Sequence, residues 1–182
     1  MIICAGNNET FSFAQPIGVG LIESSINLTR LALFDKPEFL IFIGSAGSYG
    51  EAKIFDIKTS MTASNIETSF WRNDSYTPID NVIEAKKIKK EQTSTFIVNS
   101  SNYITTNIEY GKFYVKHNIH LENMEFFSVM RVAKEFDIPV LGIFVVTNYT
   151  DKDAHKEFMQ NHEKAKKLLV EYMFEKYKEL KK

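Results

Sequence analysis

Four short constellations in this chain carry the residue types that chemistry needs. Gly44, Ser45, Ala46 and Gly47 follow the apolar run FLIFI (39–43); glycines let backbone amides approach a ligand closely, and Ser45 adds a hydroxyl. Thr147, Asn148, Tyr149, Thr150 and Asp151 follow GIFVV (142–146). A neutral amide at a strand end can donate and accept at once, which suits reading the edge of a heterocycle. Asn123, Met124 and Glu125 follow His120, where a carboxylate can accept from a sugar diol and a methionine offers soft apolar surface. Asn102, Tyr103 and Ile104 add an aromatic that can stack on a base or simply pack. Each piece also has a plainer explanation. GSAG fits a tight turn and lacks the spacing and lysine of a P-loop, Asp151 fits a helix N-cap, and Glu125 with Met124 fits a solvated acid beside a core methionine.

The remaining reactive residues support no rival chemistry. His117 and His120 stand three apart without the cysteine or carboxylate that would complete a metal site. His155 and His162, seven apart on the last helix, are also without partners. Cys4 falls in an apolar run, where a thiol is most often inert. There is no Gly-x-Ser-x-Gly elbow.

The elements that must position these residues alternate between short apolar runs and longer amphipathic stretches. The pattern predicts strands over 1–5 and 11–15, the second ended by Pro16, and a helix over 20–34 closed by Asp35, Lys36 and Pro37. A buried parallel strand over 39–43 runs into a glycine-rich turn at 44–50. A strand lies within 54–63, a polar loop with Trp71 and Arg72 covers 65–78, and a lysine-rich helix covers 81–91. Strands over 94–98 and 139–146 and helices over 123–136 and 153–180 complete the pattern. Such alternation predicts an α/β fold, a three-layer αβα sandwich on a mixed, mostly parallel sheet, with 1–182 as a single domain. In such sheets ligands sit beyond the carboxyl ends of the strands, where the four constellations fall.

Composition narrows the class. With 182 residues, 44% hydrophobic and 25% charged, the chain is globular rather than disordered. A net charge of −1 gives no reason to expect nucleic acid or a membrane as partner. One cysteine and no leader-like N-terminus predict a cytoplasmic protein. Arg30, Arg72 and Arg131 are the only arginines, although arginine is the residue best shaped to grip phosphate.

Taken in order, the constellations resemble the nucleoside phosphorylase and nucleosidase superfamily, in the branch that holds methylthioadenosine nucleosidase and the purine and uridine phosphorylases. The similarity runs from Ile17–Gly18, like the family's GIG turn, through KPEFLIFIGSAGSYG, KIFDIKTS and IVNSSNYI to NMEFFSVMRVAKEFDIPVLGIFVVTNYTD. It implies cleavage of the N-glycosidic bond of purine nucleosides, with phosphate as a possible co-substrate and no other cofactor. The homo-oligomers usual in the family are implied too, with Phe70 and Trp71 as a candidate contact. Glu125 falls on the glutamate that accepts from the ribose hydroxyls, and Met124 on the methionine against the sugar. Tyr103 falls on the stacking aromatic, and Ile104 on a neighbour whose backbone reads the base. Ser45, Ala46 and Gly47 border the ribose and nucleophile, Ile17 belongs to the GIG turn, and Asp151 is the supporting acid of the terminal motif. Glu9 is the candidate for the glutamate that activates water.

The departures are equally specific. Asn148 stands where the nucleosidases carry an aspartic acid; trimeric purine phosphorylases use asparagine there, which tilts the substrate toward 6-oxopurines. Phe42 and Phe144 replace phosphate-side arginines, and Asn123 replaces the first glutamate of E-M-E. Only about ten residues separate Ala5 from Ile17, where the family has a longer segment. Water is therefore favoured over phosphate as acceptor. The alternative is a non-catalytic nucleoside-binding or structural homologue.

Overall fold

The computed structural model describes residues 1–86 and 96–181. Its elements are β1 (Ile2–Cys4), β2 (Gln15–Pro16), α1 (Gly20–Phe34), β3 (Leu40–Ser48), β4 (Ile57–Ser60), β5 (Thr62–Ser64) and α2 (Thr68–Trp71). They continue with β6 (Val82–Glu84), β7 (Ile97–Ser100), α3 (Ile108–Lys116), β8 (Leu121–Asn123), α4 (Phe126–Glu135), β9 (Val140–Tyr149), α5 (Ala154–Lys176) and a 3₁₀ turn, Lys178–Lys181. All described strands join one mixed sheet, with β3 and β9 paired in parallel along the full length of β3. Parallel pairs also link β1 to β2 and β3, and β7 to β5 and β8; β3–β8, β4–β9 and β5–β6 are antiparallel.

Alternation along the two long strands builds the layers. Leu40, Phe42 and Ala46 of β3 face the same way as Val140, Phe144 and Val146 of β9, onto a core closed by Leu28 and Ala32 of α1 and by Val129 and Ala133 of α4. The intervening Ile41, Ile43, Leu141, Ile143 and Val145 face Ala165, Leu169 and Met173 of α5. Apolar residues on both faces are what a central parallel strand requires. The αβα sandwich is thus the one the alternation predicts.

Several local expectations are corrected. The glycine-rich segment is no turn: pairing with β9 carries β3 through Ser48, with one irregularity between Ala46 and Gly47. Likewise β9 continues through Tyr149, and Asp153, not Asp151, is the N-cap of α5. Residues 11–14 are not strand: β2 is only Gln15–Pro16, with Pro16 its last residue, tolerated because β2 is an edge strand. Residues 82–84 of the supposed lysine-rich helix form β6, and 87–91 lie outside the described residues. The 94–98 strand is β7, over Ile97–Ser100, with 94 and 95 outside the described residues. The 54–63 strand is two strands, β4 and β5, and the 65–78 loop contains α2. Helix α3 and strand β8 were not legible, and β8 takes the first residue expected in the helix over 123–136. In α1, Ile22, Ile26, Leu33 and Phe34 face outward, Phe34 at 89% exposure. No helix of the described residues is long and apolar enough to cross a membrane.

Candidate active site

A cavity of about 320 Å³ opens where the carboxyl ends of β1, β3, β7 and β9 meet β8 and the start of α4. It gathers Glu9, Ser45, Ala46, Gly47, Tyr103, Ile104, Met124, Glu125 and Asn148 from five separate segments of the chain.

Asn123 fixes the start of α4. Its Oδ1 accepts from the backbone N–H groups of Glu125 (2.8 Å) and Phe126 (2.9 Å), and its Nδ2 donates to the Ser45 carbonyl at 3.2 Å. The position that departs from E-M-E therefore does the work of a helix cap and a strand tie. Glu125 is 3% exposed, and its Oε1 accepts from the Gly20 N–H at 2.9 Å. That donor exists because Gly18 and Gly20 both have positive φ, which turns the chain sharply into α1. Burial pushes the Glu125 carboxyl up to about 7, the Gly20 bond partly opposes this, and the nearby Glu9 adds to it.

Glu9 reaches the cavity through a tight turn. Its N–H donates to the Gly6 carbonyl at 2.9 Å, and Asn7 takes a left-handed conformation, one that asparagine tolerates. The carboxylate lies over β3: the Ser45 N–H donates to Glu9 Oε1 at 3.1 Å, and the Ser45 hydroxyl donates to the same oxygen. Gly44 gives the carboxylate room, since a Cβ there would lie 3.0 Å from Glu9 Oε2. The short segment between β1 and β2 thus suffices to bring a carboxylate to the strand ends.

Asn148 closes the other side. Its Oδ1 accepts from the Thr147 hydroxyl at 2.8 Å and its Nδ2 donates to the Tyr149 carbonyl at 3.0 Å, which leaves one amide hydrogen to offer. Tyr103, 79% exposed, and Ile104 stand at the mouth.

Two expected residues stay outside. Ile17 is buried in the core beneath α1, and Val19 lines the cavity in its place. Asp151 instead accepts from the Asp153 N–H at 2.8 Å, supporting the turn into α5. Sequence reasoning missed Glu122, Asn7 and Phe158, which also line the cavity, as do Thr147 of the TNYTD run and His155, set aside above as unpartnered. Leu121–Glu122–Asn123 shows no apolar alternation in the sequence, since buried Asn123 is polar, and three residues are too few to distinguish a strand.

The cations are elsewhere. Phe42 and Phe144 are wholly buried and pack on Phe126 at ring distances of 5.9 and 5.1 Å. Arg72 pairs with Asp74 at 2.8 Å, and Arg30 and Arg131 are exposed on α1 and α4. Among the described residues no lysine or arginine lines the cavity. Trp71 packs within its own chain, against Phe113, Tyr114 and His117. His120 is likewise structural: its Nδ1 accepts from the Ile97 N–H at 3.1 Å, and burial lowers its pKa.

Comparison with known proteins is consistent with this geometry. Residues 92–175 match the family model of the phosphorylase superfamily. No curated protein matches the sequence. Among solved structures, the chain is similar to the Helicobacter pylori 5′-methylthioadenosine/S-adenosylhomocysteine nucleosidase crystallised with butyl-thio-DADMe-Immucillin-A, at a TM-score of 0.82 and 16% identity, covering 98% of this chain and 97% of that one. It is similar also to Helicobacter pylori futalosine hydrolase, at a TM-score of 0.79 and 16% identity over 94% of each chain. The Streptococcus pneumoniae nucleosidase bound to MT-ImmA gives 0.72 and 15%, covering 93% of this chain and 94% of that one. At such identities the likeness establishes the fold.

Proposed function

We propose that this chain, which has the fold of the nucleoside phosphorylase and nucleosidase superfamily and its sequence pattern over residues 92–175, cleaves the N-glycosidic bond of purine nucleosides with water as acceptor. One observation carries the reading: Glu9, Glu125 and Asn148, distant in sequence, line a single cavity of about 320 Å³. Breaking the bond develops positive charge on the ribose and negative charge on the base, so a site must hold the sugar, support the base and aim a nucleophile. Glu125 and Met124 hold the ribose. Tyr103 and Ile104 cover the base, and the remaining Asn148 hydrogen donates to its edge, which favours a 6-oxopurine. Glu9, fixed by both Ser45 donors, takes the proton from the attacking water.

Water is favoured over phosphate because the cavity offers no lysine or arginine among the described residues, and because phenylalanine fills both expected arginine positions. The outward apolar residues of α1 support a homo-oligomer, which sedimentation velocity would test.

The decisive experiment incubates pure protein with inosine, guanosine, adenosine and methylthioadenosine, with and without phosphate, and measures free base and sugar product. Base release with free ribose in either condition is expected. Release only with phosphate would make the chain a phosphorylase. Saturable binding without release would make it a nucleoside-binding homologue.

A further inference from the structure

The reading above leaves the departing base without an acid, because an amide cannot give up a proton to it. Glu122 lies beside Asn148. A Cβ built on Gly47 would stand 3.1 Å from Asn148 Nδ2 and 3.3 Å from Glu122 Cγ, so both side chains converge on the bare face of Gly47, on the cavity wall. The antiparallel pairing of Gly47 with Glu122 and the β3–β9 pairing of Gly47 with Asn148 fix this adjacency in the backbone.

We propose that Glu122 is the proton donor to the leaving base, supplying from β8 the acid that Asn148 on β9 does not. The assignment rests on the nucleoside-cleavage reading. Glu122 lines the cavity, and its Oε1 accepts from the Thr105 N–H at 2.9 Å, in the loop that carries Tyr103 and Ile104. Its Oε2 accepts from the Tyr49 hydroxyl at 3.0 Å, and Tyr49 is itself held by stacking on Tyr114 at 4.2 Å. Each carboxyl oxygen has two acceptor positions, and Oε2, bonded to Tyr49, keeps one for the proton it delivers. The titratable groups facing it are the Tyr49 and Tyr114 hydroxyls, both of which burial pushes upward, and no described ion pair involves Glu122. Burial raises its own pKa, which favours the protonated form.

The step balances. As the C1′–N bond breaks, its electron pair goes to the base, and the Glu122 proton moves to a base nitrogen. The water oxygen bonds to C1′ while its proton passes to Glu9. Glu122 ends ionised and Glu9 protonated, and exchange with solvent restores both.

The test compares inosine with p-nitrophenyl β-ribofuranoside, whose leaving group departs without a proton. In Glu122→Gln, hypoxanthine release is expected to fall by about 10²-fold or more, while nitrophenolate release falls much less. Adding Asn148→Asp to that variant returns a carboxyl to the same wall and is expected to restore inosine cleavage. Equal losses on both substrates, or no loss on either, overturn the assignment while leaving the cleavage reading intact. A wild-type protein that releases no base overturns both. Should Glu122→Gln melt below the assay temperature, the same comparison on Glu122→Asp, one methylene shorter, decides.

Discussion

Gly20 and Glu125 meet through a 2.9 Å hydrogen bond between the first turn of α1 and the start of α4, across 105 residues of sequence. The bond joins the turn that begins the first helix to the carboxylate we assign to ribose. Burial pushes the Glu125 carboxyl up to about 7, a shift that this bond partly opposes.

Stability should therefore depend on pH through this residue. The ordinary glutamate value is 4.5, so as pH rises from about 4.5 to about 7 the unfolded chain loses a proton that the folded chain keeps. Folded-state stability falls across that window, by on the order of 3 kcal/mol, and stays lower above it. Glu125→Gln removes the ionisation and keeps an oxygen for Gly20. Chemical denaturation at pH 5 and pH 8 should show a smaller pH-dependent loss in the variant than in the wild type.

Glu9 is predicted to act in the reaction rather than in the fold. Glu9→Gln should lower the rate of base release by about 10²-fold or more, with nucleoside affinity nearly unchanged by calorimetry. Ser45→Ala removes only the hydroxyl donor and leaves the backbone N–H, so its loss should be smaller.

Asn148 is predicted to set base preference. Asn148→Ala removes one donor to the base and should lower kcat/KM for inosine and guanosine by about tenfold, the value of roughly one net hydrogen bond. Turnover of every nucleoside unchanged would refute its role.

Gly18 is predicted to contribute to stability. Its φ is +101°, and an added Cβ would lie 2.3 Å from Glu23 Cγ, in the turn where Glu23 Oε2 accepts from the Val19 N–H at 2.9 Å. Gly18→Ala should cost about 1–3 kcal/mol in urea denaturation.

What the sequence determined by itself was the layering and most of the site. Phe39 to Ile43 and Pro139 to Val146 are apolar without interruption, and only strands covered on both faces tolerate that; hence the sandwich. Nine of the eleven candidate residues line the cavity: eight lie in constellations at the ends of apolar runs, where ligand sites collect, and Glu9 was offered by the family resemblance alone. Tertiary structure decided the rest. That GSAG is strand and not turn depends on β9 pairing alongside it, a partner about a hundred residues away. Glu9 reaches Ser45 only because a left-handed Asn7 folds the chain back. Ile17 and Asp151 fall away because a turn aims neighbouring residues in different directions: Val19 enters the cavity while Ile17 enters the core. Glu122 became visible only when β8, three residues long, was paired with β3. Local patterns carry periodicity, whereas the meeting of side chains from separate strands depends on register, which a single segment does not encode.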